Sequence, residues 1–288
     1  MRQERLKLLI AYSTLAQLGY LFLMFPLAFS AGSARLESGG ALAGGLLQAI
    51  SHATAKAAMF MSAGLIYVAL GHDRITGLGG IGRALPMSVL AFALGGVALM
   101  GVPPSGAYLA KDLLLQAAVE ADQWWWAVVV QAGGIFTSSY VLLALAHALM
   151  PAHEPAASRV SVSRVGEAAA LALALCSLLL GLIPWEEYLP VARGTLSNPL
   201  TLEMLSTALW PIVAGGVLAI LLGRWGARPE RIFMRRVLVA MVEPPRRATL
   251  ALGKAIERVD RMLRQWTAAG LALLVLAILF GAAMLAAD

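Results

Sequence analysis

Charge is scarce in this chain. Only 13% of its 288 residues are Asp, Glu, Lys or Arg, where a soluble domain carries about a quarter. With 60% hydrophobic residues and a mean hydropathy of +0.78, a soluble globular enzyme is excluded. Cysteine is scarcer still: Cys176 stands alone in an apolar run, which rules out an intrachain disulfide and any CxxC redox or zinc motif. No Ser/His/Asp set, paired carboxylate site or haem motif occurs, and His147 and His153 do not have metal-ligand spacing. The sequence therefore points to no catalytic residue, no metal site and no cofactor bound by this chain. Gly77-Leu78-Gly79-Gly80-Ile81-Gly82 satisfies GxGxxG but follows an apolar helix and a polar loop, not a strand, so dinucleotide binding is not implied. The formal charge of +6 is no nucleic-acid signal either. Arg224 to Arg264 holds 11 basic and 4 acidic residues, and the remainder is nearly neutral with 11 and 12.

What the chain has is apolar length. About 20 apolar residues cross roughly 30 Å of hydrocarbon as a helix, and seven such units are present. They are Leu8 to Phe29, Gly44 to Leu70, Pro86 to Glu120, Trp124 to Met150, Gly166 to Trp185, Leu205 to Gly223 and Thr267 to Ala287. The first, flanked by Arg2, Arg5 and Lys7, imitates a signal peptide, but it is longer than a usual h-region and carries Tyr12, Ser13, Thr14 and Gln17; it reads as a retained span. The third is too long for one straight helix and is interrupted by Gly101-Val102-Pro103-Pro104-Ser105-Gly106, where prolines remove donors and glycines free the backbone. Trp124, Trp125 and Trp126 suit an interfacial aromatic belt.

The positive-inside rule decides how the broken span crosses. A single crossing places the amino terminus, Arg74 and Arg83, Arg159 and Arg164, and the Arg224 to Arg264 stretch together. The other side then receives Arg35 with Glu37, Glu120 with Asp122, and Arg193 among acidic residues. A double crossing would put the most basic stretch outside. The expected fold is an all-α polytopic transmembrane bundle of about seven spans, one of them discontinuous. The amino terminus is cytoplasmic, the carboxyl terminus is outside, and an amphipathic cytoplasmic connector suits a lipid surface or a docking partner.

Two of the rare cations fall inside spans. Lys56 lies about 12 residues from either end of its helix, roughly 18 Å, too far to snorkel. Gln48, His52 and Lys56 are spaced four apart and form one polar stripe. Lys111 and Asp112 follow the proline break; being adjacent, they point apart, and Lys111 is either intramembrane or close enough to a span end to reach water. The chain uses 18 arginines and four lysines (Lys7, Lys56, Lys111, Lys254), yet both intramembrane cations are lysine. A guanidinium holds its proton, whereas a desolvated ammonium can release one. Histidine is a natural relay beside it.

These residues lie in a familiar order. Lys7-Leu-Leu-Ile-Ala-Tyr-Ser-Thr-Leu-Ala-Gln-Leu-Gly-Tyr20 resembles the K-x-x-L/I-A-Y-S-T/S-x-x-Q-x-G-Y signature of the antiporter-like membrane subunits of respiratory complex I and of Mrp-type cation/proton antiporters. His52-Ala-Thr-Ala-Lys56-Ala-Ala-Met-Phe60 resembles that family's H-A-x-x-K-A-x-x-F motif. Leu78-Gly79-Gly80-Ile81 resembles its L-G-G-L loop, and Gly101, Pro103, Pro104 and Gly106 with Lys111 resemble its broken helix. The resemblance covers about residues 6 to 145.

It implies one of two inverted half-channels that relay protons, with Na⁺ antiport open. Lys56 would be the central proton site, His52 its relay partner and Lys111 the site toward the exit, with Lys7, Gln48 and Asp112 secondary. Some members have His where this chain has Gln48. The implied organisation is a half-channel at 1–150, two further helices at 151–223, the connector at 224–266 and a last helix at 267–288. Implied partners are membrane subunits of a complex I-like, hydrogenase-like or Mrp-like assembly in a bacterial inner membrane, including one supplying the amino-terminal half that the resemblance lacks. A scaffold or quinone-module contact without translocation is the competing reading.

Overall fold

A computed structural model describes residues 3–29, 38–151, 162–189 and 202–226. The sequence expectations for the Arg-rich connector beyond residue 226 and for the last helix, 267–288, lie outside these residues. Among the described residues all regular elements are helical. They are α1 (Leu6–Phe22), α2 (Met24–Ala28), α3 (Gly39–Leu70), α4 (Ile81–Ala84), α5 (Pro86–Met100), α6 (Gly106–Glu120), α7 (Trp125–Leu149), α8 (Arg164–Leu179) and α9 (Leu202–Gly226). The strand-like feature is an isolated antiparallel bridge between Arg5 and Arg74. Among the described residues four helical stretches are long and apolar enough to cross a membrane: Leu6–Ala28, Gly39–Leu70, Trp125–Leu149 and Arg164–Leu182. α5 and α6 have 15 residues each, about 22 Å apiece, and span only in series. The chain is a polytopic helical bundle.

Prolines account for the departures from straight helices. The first apolar run is split at Leu23, three residues ahead of Pro26, whose ring cannot be accommodated by an unbroken turn. α8 tightens into a 3-10 turn at Leu180–Leu182 and leaves helical geometry at Ile183 (φ −75°, ψ 137°), the conformation required of a residue preceding proline, here Pro184.

α3 is the spine, and the two halves of the broken helix lie along it in succession. Gly44 meets Ala110, Leu113 and Leu114 of α6; Gly106 at the start of α6 meets Ser51; Gly95 of α5 meets Ala55 and Met59. As the α3 number rises the partner number falls, so α5 and α6 form one antiparallel traverse interrupted in the middle, as the charge distribution required. α8 lies on the same spine: Gly166 meets Leu65, Ala170 and Ala174 pack with Ala58 and Ala91, and Ser177 Oγ donates to Ser51 O at 3.2 Å. Small residues dominate these contacts because, in lipid, helices associate by close van der Waals approach and not by expelling water.

Two buried polar contacts complete the frame. Glu167 of α8 accepts from Ser88 Oγ at 2.8 Å and from Ser88 N at 3.3 Å. Its carboxylate thus satisfies an orphan N–H in the first turn of α5, where helix polarity favours negative charge. At the other end of α8, Gly181 N donates to Pro104 O at 2.9 Å, satisfying a carbonyl that the break leaves without a helical partner.

Candidate functional site

The polar stripe of α3 is buried. Gln48, His52 and Lys56 keep 1%, 7% and 5% of their surface exposed, because α1 and α7 close over that face. Lys56 Nζ donates to Ile10 O of α1 at 2.9 Å and to Ser13 Oγ. It lies 5.7 Å from the centre of the Tyr140 ring of α7. Ser13 Oγ donates in turn to Ile10 O at 2.8 Å, and Thr14 Oγ1 does so at 3.0 Å. A carboxylate would hold this nitrogen as an ammonium. The carbonyl and hydroxyl that surround it are uncharged and can also accept from a neutral amine.

One turn away, both ring nitrogens of His52 are buried without a hydrogen-bond partner, as are Gln48 Oε1, Ser51 Oγ and Tyr140 Oη. Buried polar atoms are paired in the great majority of cases. The two imidazole nitrogens and Gln48 Oε1 lie on the polar stripe and mark a place where hydrogen-bonding capacity is held in reserve, whereas Ser51 Oγ lies on the face of α3 turned to Gly106. Beyond His52 the seam is bridged: Gln48 Nε2 donates to Gln17 Oε1 at 2.8 Å, and Gln17 Nε2 donates to Thr137 Oγ1 at 3.2 Å. This bridge joins α3, α1 and α7.

Lys111 occupies the other polar locus. Its side chain runs back across the break, and Nζ donates to Met100 O at 2.7 Å, capping the carbonyl end of α5 with a cation, where the helix dipole favours one. Gly101 is left-handed (φ 83°), and a Cβ there would sit 2.9 Å from Lys111 Nζ. Glycine is thus needed for the backbone and for the lysine. Ser105 begins α6 by accepting from Tyr108 N at 3.2 Å, and the Pro103–Pro104 bond is cis. Lys111, Asp112, Gln131 and Pro211 line a cleft of about 90 Å³ between α6, α7 and α9, enough for several waters. Asp112 accepts from Gln116 Nε2 at 3.0 Å.

The structure thus brings Gln48, His52 and Lys56 together on one face, and it sets Lys111 against Gly101 at the Gly101–Gly106 break, while Pro104 faces Gly181 and Gly106 faces Ser51 and Leu180. Lys7 is elsewhere: its Nζ lies 4.4 Å from the Tyr67 ring. Gly80, left-handed at φ 77°, donates its N–H to Met150 O at 2.8 Å, so the Leu78–Ile81 motif is a docking turn. No group of metal-ligating side chains occurs among the described residues. Sequence reasoning missed Thr137, Tyr140 and Glu167 as partners. Gln17 stood in the first motif, but nothing in the sequence pairs it with Gln48.

The family described as NADH:quinone oxidoreductase/Mrp antiporter, transmembrane, matches residues 1–137. The chain is similar to F(420)H(2) dehydrogenase subunit M of Methanosarcina mazei, 38% identical over 115 residues, covering 40% of this chain and 21% of that one. It is similar to NADH-quinone oxidoreductase subunit N of Desulforudis audaxviator, 29% identical over 150 residues, covering 51% and 28%. In structure it is similar to a chain of the Mrp complex from a Dietzia species, with a TM-score of 0.58 and 21% identity over all of this chain and 32% of that one, which is a likeness of fold. The matches thus span between about a fifth and a third of their relatives' lengths. Residues 1–137, which hold the Lys56 seam, the glycine-proline break and Lys111, belong to the NADH:quinone oxidoreductase/Mrp antiporter transmembrane family.

Proposed function

We propose that this chain is a proton-translocating membrane subunit of a larger complex, and that Lys56, His52 and Lys111 carry the proton. The observation that supports this best is a buried lysine nitrogen held by Ile10 O and Ser13 Oγ, one helical turn from an imidazole with two unpartnered nitrogens. A neutral Lys56 amine accepts a proton from one side of the seam and becomes an ammonium while keeping both hydrogen bonds. It returns to the amine by giving the proton, through water, to His52. The imidazole passes the proton on through water, past Gln48, whose amide hydrogen-bonds but does not titrate. Lys111 receives it at the break, beside a cleft that admits water. Asp112 lies at that cleft and biases its potential toward cations.

On this reading residues 1–150 form a half-channel, 151–223 add two helices, 224–266 are a cytoplasmic connector and 267–288 a closing helix. Membrane subunits of the same assembly, or further chain, supply the other half-channel. The amino terminus faces the cytoplasm of a bacterial plasma membrane, and the carboxyl terminus faces outward. The transported ion is H⁺, and flux measured with and without Na⁺ tells whether Na⁺ is exchanged for it.

The test is proton pumping by the whole complex in inside-out vesicles, followed with a pH-sensitive dye. Lys56→Ala is expected to abolish translocation. Lys56→Arg should do so as well, because arginine keeps the charge and the span but does not release a proton. Normal pumping by either variant would refute the assignment.

A further inference from the structure

At the end of the bundle where α1 begins and α3 ends, the chain makes an unusual pair. Leu6 N donates to Asp73 O at 2.7 Å and Ile75 N donates to Glu4 O at 2.8 Å. These two bonds flank Arg5 and Arg74, which face each other in the antiparallel bridge as a non-hydrogen-bonded pair. In this arrangement directly opposed side chains come closest, and like charges there repel. Both arginines line one pocket of about 490 Å³ with His72, Asp73, Tyr67 and Thr76.

The other groups around the pocket do not cancel the pair. Asp73 is the carboxylate in its lining, against two guanidiniums. His72 Nδ1 accepts from Arg74 N at 3.4 Å, so Nε2 carries the ring proton and is a further donor. The ring is held against Gly77, where a Cβ would lie 2.7 Å from its Cε1. Lys7 adds a cation over Tyr67 on the same rim. The pocket joins the first residues of one membrane-length helix to the C-cap of another, which is the depth of lipid headgroups.

We propose that this pocket binds one phosphate group, forked by Arg5 and Arg74 and completed by His72 Nε2–H, and that its ordinary source is the headgroup of an anionic phospholipid. Guanidinium forks match phosphate oxygens two at a time. An anion between Arg5 and Arg74 turns their repulsion into a shared contact, and a diacyl lipid can present that anion while its chains lie along the apolar, exposed surface of α1, including Tyr12 and Leu15. The site is separate from the Lys56 seam and does not depend on the transport reading.

The test uses the full chain purified in neutral detergent, titrated with phosphatidylglycerol, phosphatidylcholine or inorganic phosphate, with retained ligands counted by native mass spectrometry and melting followed in parallel. Wild type is expected to retain one more phosphatidylglycerol than Arg5→Gln/Arg74→Gln, the affinity at that site falling by about tenfold or more. An Arg83→Gln/Arg164→Gln control, which removes the same charge from exposed positions outside the pocket, should retain as many as wild type. Melting gives a second arm: without phosphate ligand the double glutamine variant should be at least as stable as wild type, and with phosphatidylglycerol it should be less stable. Retention of inorganic phosphate but not of lipid, lost in the same variant, would keep the phosphate site and overturn its lipid source. Equal retention of both ligands by wild type and variant would overturn the site.

Discussion

The two membrane lysines are restrained in different ways. Lys56 reaches across to a neighbouring helix and is held by one carbonyl and one hydroxyl of α1, next to the unpartnered His52. Lys111 reaches back along its own broken helix and is held by the last carbonyl of α5, beside a cleft. The first belongs to the interface between helices, so its loss leaves every helix intact. The second is part of what ends one helix and begins another, so its loss is felt by the fold. A polar group in a membrane can be placed for chemistry or for closure of the backbone, and what it hydrogen-bonds distinguishes the two.

That contrast can be broken most directly by substituting both lysines with methionine. Lys56→Met is expected to remove proton pumping with little change in melting temperature, since an apolar chain of similar length replaces a group costly to bury. Lys111→Met should impair pumping and also lower stability, by about 1 kcal/mol for the lost charge at the helix terminus. Equal stability of the two variants would show that the break does not depend on its lysine. Gly101→Ala tests the same locus from the backbone. A side chain there meets both a left-handed φ and Lys111 Nζ, and strain of this kind costs about 1 to 3 kcal/mol. Its pumping should fall although Lys56 and Lys111 are both in place.

Much of this contrast is legible in the sequence, and the missing part has a physical reason. Apolar length and the Gly101–Gly106 cluster point to a broken span because membrane helices must satisfy their own backbone. The four-residue spacing of Gln48, His52 and Lys56 places them on one face because a helix repeats every 3.6 residues. Spacing along one helix says nothing about which residues of another helix face it. Ser13, Gln17, Thr137 and Tyr140 became partners only when α1 and α7 closed over α3. Glu167 was hidden for the same reason: its role depends on the first turn of α5, 79 positions away in sequence. The split at Leu23 was legible in Pro26 but masked by the even hydropathy around it.

The amide bridge is the next test. Gln17→Leu removes the middle of a three-helix chain, leaving Gln48 and Thr137 without their partner. Interhelical hydrogen bonds in membranes average about 0.6 kcal/mol each, with a maximum near 1.7. The loss should be about 1 kcal/mol by thermal unfolding in detergent, and pumping should be slowed but retained, since Lys56 and His52 are untouched. A complete loss of pumping would move Gln17 from a positioning role into the relay itself.

The smallest effect is the most informative about Lys56. Ser13→Ala removes one of its two acceptors and leaves Ile10 O. A double-mutant cycle with Lys56→Met isolates the pairwise energy. A lysine held equally well as amine and as ammonium should couple to Ser13 by about 0.6 kcal/mol, the value of an ordinary interhelical bond. A hydrogen bond to a permanently charged group would give about 1.5 to 3 kcal/mol. A coupling in that upper range would mean that Lys56 is locked as an ammonium by its surroundings. The contrast with Lys111 would then vanish, because Lys56 too would be placed to hold the fold together and not to release a proton.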